Sequence, residues 1–125
     1  MRSECSRLER WLAVAGENLP LPWSIAARKG FGYAVLIVFL LTQATDGFLT
    51  YLGVGVHGVQ AEANPLAAQL MATFGLVPAV AGLKLTTSSI GFALHALGVH
   101  RVLAVVAGIY LVAAVLPWAG LLLVW

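Results

Sequence analysis

The chain predicts an all-α membrane protein with three transmembrane helices, an amino-terminal interfacial amphipathic helix, and a short outer helix that is interfacial or re-entrant. Three observations predict it. Hydrophobic residues make up 61% of the 125 residues and charged residues only 10%, and the mean hydropathy of +0.94 lies far outside the soluble range. Three apolar runs reach the roughly 20 residues needed to cross a hydrocarbon core. Finally, Arg2, Arg7, Arg10, Arg28 and Lys29 carry five of the seven positive charges, all ahead of the first run. The formal charge of +2 therefore describes a basic amino-terminal segment. It points to orientation and lipid headgroups and not to nucleic acid, for which no Arg-rich clusters between aromatics are present.

Residues 1–30 read as a cytoplasmic or interfacial segment, and residues 31–125 as a three-helix transmembrane domain. Within the first, Glu4 to Gly16 has Cys5, Leu8, Leu12 and Ala15 at helical spacing, with Glu4, Arg7, Glu9 and Arg10 on the other side. Such a helix lies in the headgroup plane. Leu19-Pro20-Leu21-Pro22 breaks it. Arg28-Lys29 before Ala34 to Leu41 looks like a leader, but apolar character continues to Val56, so a retained anchor is predicted. Cys5 is the only cysteine, which excludes an internal disulfide and a Cys-based metal motif.

The first span is predicted over Tyr33 to Gly53, closed by glycines at 53, 55 and 58 and a polar connection. Asn64-Pro65 starts the next helix, because Asn caps free amide groups and Pro is tolerated at the first helical position. That helix, Pro65 to Phe74, is too short to span and ends at Gly75. The second span is predicted from Leu76 to Leu97 and the third from Val102 to Val124, with Gly98 to Arg101 as the turn and His100 solvated in it. The positive-inside rule puts the amino terminus and that turn in the cytoplasm, and the short helix and carboxyl terminus outside, across the inner (plasma) membrane. Trp118 and Trp125 are expected in the outer aromatic belt, and Trp23 and Tyr33 in the inner one.

A few polar residues break the apolar pattern. Asp46 lies nine residues below Gly55, about 13 Å from the outer end of its helix at 1.5 Å per residue. Lys84 lies eight residues into the antiparallel second helix, about 12 Å from the same side. Carboxylate and ammonium thus arrive at matching depth. Thr50 stands one turn above Asp46, and Gln43 sits near that face one turn below. On the second helix, Lys84, Thr87, Ser88, Gly91 and His95 form a stripe. Glu62, two residues before Asn64, reaches the pair if the short helix folds onto the bundle, and His57 shares that loop. Two acids with one base suit a cation or a shared proton.

The residues Asp46-x-x-x-Thr50, Glu62-Ala63-Asn64-Pro65 and Lys84 resemble an uncharacterised family of small prokaryotic membrane proteins, a domain of unknown function. The resemblance covers about Ala34 to Ser89. It implies that Asp46, Thr50, Glu62, Asn64, Pro65 and Lys84 form one recurring constellation, and it implies no activity.

Each position also has a structural reading. Asp46 and Lys84 can be an ion pair that fixes helix register. Asn64 can be a cap alone, and Thr86 to Ser89 can bond back to their own helix. His95 reads either as an axial ligand for a haem or pigment, with Gly91 leaving space, or as a packing residue. Asp46, Glu62 and His57 would suit a hard or borderline metal, but their spacing sets no geometry. No catalytic signature occurs, and Ser88 or Ser89 with His95 does not make one. No cofactor is identified by the residues. The expected function is a small non-enzymatic membrane subunit that docks in or stabilises a larger complex. The alternative is an oligomeric transporter or channel that binds a cation or relays protons through Asp46, Glu62 and Lys84. Partners are then the lipid bilayer and other membrane chains, copies of itself or a larger assembly, because three helices give little room to hide a polar cluster. Ala104-x-x-x-Gly108 offers a close-packing face for that contact.

Overall fold

In the computed structural model, the described residues are 2–18 and 22–124, with side chains described for 4–14 and 27–124. The expected break at Leu19 to Leu21 and the belt residue Trp125 lie outside the described residues, as do the side chains of Ala15 and Trp23. The chain forms two compact units, Met1–Gly30 and Phe31–Trp125.

The first unit contains α1 (Arg2–Asn18) and the opening turns of α2 (Pro22–His57). In α1, Leu8, Trp11 and Leu12 are all exposed, and Arg10 Nε donates to the Ser6 carbonyl one turn back. All the described side chains of α1, apolar and charged alike, are exposed.

The second unit continues α2 and adds a 3₁₀ turn (Val59–Ala61), α3 (Pro65–Phe74), α4 (Leu76–Ala96), α5 (His100–Tyr110), a π-helical segment (Leu111–Val115) and α6 (Leu116–Leu123). Three stretches are long and apolar enough to cross a membrane: Ala27–His57, Leu76–Ala96 and His100–Leu123. No strand occurs among the described residues.

The first long helix does not end at Gly53. It runs on to His57, and the break comes at Gly58, whose φ of 84° belongs to the left-handed region that favours glycine. Gly53 and Gly55 are helical, and Gly53 has a packing role instead. The Trp118 indole lies against it so closely that a Cβ would collide with the ring. Trp118 is therefore a core residue and not part of an aromatic belt, being buried with Val54, Ala67, Met71 and Ala79.

The third long helix also departs from expectation. It starts at His100, so the turn is confined to residues 97–99, and its middle is π-helical. Pro117 supplies the reason. Proline lacks an N–H and its ring clashes with the carbonyl four residues back, here Ala113, so the helix admits an extra residue there. The Leu116 N–H bonds the Leu111 carbonyl, five residues back. Tyr110 and Trp118, eight residues apart, would stand about 80° apart in a regular helix. One extra residue brings them to within about 20°, and both side chains line one cavity.

The core is layered. Towards His57 lies the Val54, Met71 and Trp118 cluster. Towards His100 lies a second cluster of Leu36, Phe39, Leu103 and Ala107. The buried polar residues Thr42, Gln43, Asp46 and Thr50 lie between them along α2.

Candidate functional site: a charged pair at a cavity wall

Leu36, Phe39, Gln43, Asp46 and Thr50 follow one another at three- and four-residue steps, so one face of α2 is apolar at one end and polar in the middle. Opposite it, α4 presents Lys84 and Thr87. Lys84 Nζ donates to Asp46 Oδ2 and, at 3.3 Å, to Gln43 Oε1. Thr87 Oγ1 donates to the same Gln43 oxygen at 2.9 Å, and Thr50 Oγ1 meets Asp46 Oδ1 at 3.5 Å. The Lys84 ammonium also stands over the Tyr110 ring, 5.2 Å from its centroid, in cation–π geometry. Its aliphatic stem crosses Gly47, where an added Cβ would lie 3.2 Å from Cγ.

The cluster is shielded within one chain. Gln43 is 1% exposed, and the Asp46 and Lys84 side chains are 7% and 22% exposed. The pair is nonetheless not sealed. It lines a cavity of about 550 Å³, walled by α2, α3, α4 and the third long helix.

Glu62 and Asn64 line the same cavity. Glu62 Oε1 accepts from the Asn64 N–H at 2.9 Å, and Asn64 Oδ1 accepts from the Leu66 and Ala67 amides at 3.1 and 3.5 Å. Asn64 is thus an N-cap with Pro65 at the first helical position, and the cap holds the start of α3 beside the cavity.

The two remaining candidate ligands lie elsewhere. His57, the last residue of α2, is not among the cavity-lining residues. His95 sits eleven residues along α4 from Lys84, about 16 Å away. Its ring lies between those of Tyr33 and His100, each 5.0 Å away between centroids. The space beside Gly91 that a pigment would need is filled by Phe39, whose ring a Cβ at Gly91 would strike. His100 is likewise not a solvated turn residue. Its ring packs on Gly32, and its Nε2 is buried without a hydrogen-bond partner. Among the described residues, no three His, Cys, Asp or Glu side chains converge as a metal site.

The hydroxyls of α4 divide. Thr86 and Ser89 each donate at 2.8 Å to the carbonyl one turn back, on Gly82 and Leu85, while Thr87 also reaches across to Gln43. Gln43 and Thr87, which the sequence places on the facing polar sides, thus belong to the site, and so does Tyr110, which the sequence reading passes over. Helical spacing from Asp46 and Lys84 signals the first two. Tyr110 carries the one hydroxyl between Val102 and Val124.

No curated protein and no solved structure matches the chain. One family does, over residues 36–124, a stretch that includes Asp46, Glu62, Lys84, Tyr110 and Trp118 and extends beyond the resemblance seen in the sequence to take in the whole third helix. The chain belongs to that family, described as Domain of unknown function (DUF5658).

Proposed function

We propose that this is a non-enzymatic integral membrane protein whose cavity binds a cation or relays protons, with Asp46, Glu62 and Lys84 as the working groups. It lies in the inner (plasma) membrane with its amino terminus in the cytoplasm and its carboxyl terminus outside. The observation that carries this reading is that the Asp46–Lys84 pair lines a cavity, with Glu62 on the same cavity. A pair that served only to fix helix register would gain from being packed shut, since open space beside it forfeits contacts. Two carboxylates and one ammonium leave the cavity one negative charge in surplus. Reconstitution into liposomes, with a pH-sensitive dye inside and a set membrane potential, tests the reading. Cation or proton movement that is lost in Asp46→Asn and Glu62→Gln supports it. A wild-type protein that moves and binds no cation overturns it.

The reading as a subunit of a larger membrane assembly keeps one observation of its own. A second, more open groove runs between α2 and α4 past Ala44, Gly47, Ala81 and Ser88, small residues that let another helix approach closely. Gln43 lines this groove, and its Nε2 is buried with no hydrogen-bond partner. Native mass spectrometry of the extracted protein separates this role from the first by reporting fixed partner chains.

A further inference from the structure

Resting on that cation-binding reading, we infer that the cavity's ligand is an amphiphilic organic ammonium, one positively charged nitrogen carried on a compact apolar body. Size is the first argument. A cavity of about 550 Å³ falls within the range of small-molecule sites and is far larger than a dehydrated inorganic ion needs. A metal ion would also require several oxygen or nitrogen ligands at close range, and among the described residues no such group of His, Cys, Asp or Glu converges.

The lining gives the second argument. Met71, Val80, Leu83, Ile109 and Leu121 make most of the wall apolar, and polar groups gather at Asp46, Thr50, Lys84 and Thr87 and again at Glu62 and Asn64. This is the lining of a site for a molecule with an apolar body and a polar end. An inorganic ion would find few ligands on such a wall.

Charge decides the sign of that end. The Lys84 ammonium already has Asp46, Gln43 and the Tyr110 ring as partners, so it is not free to hold an anion. Glu62 has only the Asn64 N–H at one oxygen, and no cation pairs with it among the described residues. A ligand ammonium neutralises that surplus charge. An aromatic wall favours the same chemistry. Trp118 lines the same cavity, and an organic cation gains from a ring face once it has shed water, whereas the Tyr110 ring is already engaged by Lys84. The ligand nitrogen goes to the Glu62 end of the cavity, and its apolar body lies along Met71, Val80 and Leu83.

Isothermal titration of the full chain in zwitterionic nanodiscs tests this with benzyltrimethylammonium as the probe. Benzyl alcohol and benzenesulfonate serve as the neutral and anionic counterparts. Wild type is expected to bind the ammonium and neither counterpart. Glu62→Gln keeps the side-chain shape and an acceptor for the Asn64 N–H, so α3 keeps its cap. It is expected to weaken binding about tenfold. Equal binding of the three probes, or an unchanged affinity in Glu62→Gln, overturns the inference. If protons or sodium cross wild-type liposomes and the ammonium does not bind, the organic ligand is wrong and the cation-binding reading survives. If neither occurs, both fall.

Discussion

Lys84 on α4 and Asp46 on α2 form an ion pair across 38 residues of chain, with Gln43 accepting from the same ammonium on one helix and the Tyr110 ring beneath it on another. Three helices therefore meet at one charged nitrogen. The cluster is hydrogen-bonded on most sides but borders open space, which makes its removal informative about both folding and binding.

Asp46→Asn or Lys84→Met alone leaves an uncompensated charge in a largely desolvated place. Each is expected to cost roughly 3–5 kcal/mol in the precedent from soluble proteins. The double variant buries no charge and is expected to recover much of the loss. Thermal unfolding in detergent measures it. A double variant as unstable as the two single losses combined would show that the residues do not support each other. Recovered stability without recovered binding would assign the pair to function.

Gly53 and Trp118 make a second test, this one of packing. Gly53→Leu places a side chain where the indole lies, and overpacking of this kind costs typically about 1–3 kcal/mol. Combining it with Trp118→Ala frees the volume, so the double variant is expected to lose less than the two single losses summed. Additive losses would contradict the contact.

Asn64→Ala removes the acceptor of two α3 amides and is expected to lower stability by about 1 kcal/mol, whereas Asn64→Asp, which caps as well, is expected to stay near wild type. Circular dichroism melts compare the two. Equal losses would mean that the cap is not what Asn64 supplies.

Topology can be read by labelling with an impermeant thiol reagent after Cys5→Ser. Gln60 and Val99 are exposed and lie at opposite ends of the bundle. A cysteine at Gln60 is expected to react from outside the cell and one at Val99 only after lysis. The reverse pattern would invert the orientation.

Gly108 offers a clean probe of assembly. A Cβ there meets no atom within 4 Å, so Gly108→Leu is expected to leave the single chain folded. Any loss of association in native mass spectrometry then reports a contact with another chain. Unchanged assembly in both Gly108→Leu and Ala104→Leu would remove this face from consideration as an interface.

The helical class, the three long apolar segments, the Asn64 cap and the facing of Asp46 and Lys84 are all legible in the sequence. Each depends on local rules: run length, capping chemistry, and the fixed rise and period of a helix. What the tertiary structure alone decided involves two segments distant in the chain. Gly53 reads as a helix stop until Trp118, 65 residues later, needs its missing side chain. Trp118 reads as a belt residue until the extra residue forced by Pro117 turns it inward beside Tyr110. His100 reads as a solvated turn until Gly32 gives its ring a seat, and Gly91 reads as open space until Phe39 occupies it. Period and composition state which face of a helix is apolar, but they do not state which partner fills the space beside it. That choice is made by close packing between helices, where a single absent Cβ admits a whole ring.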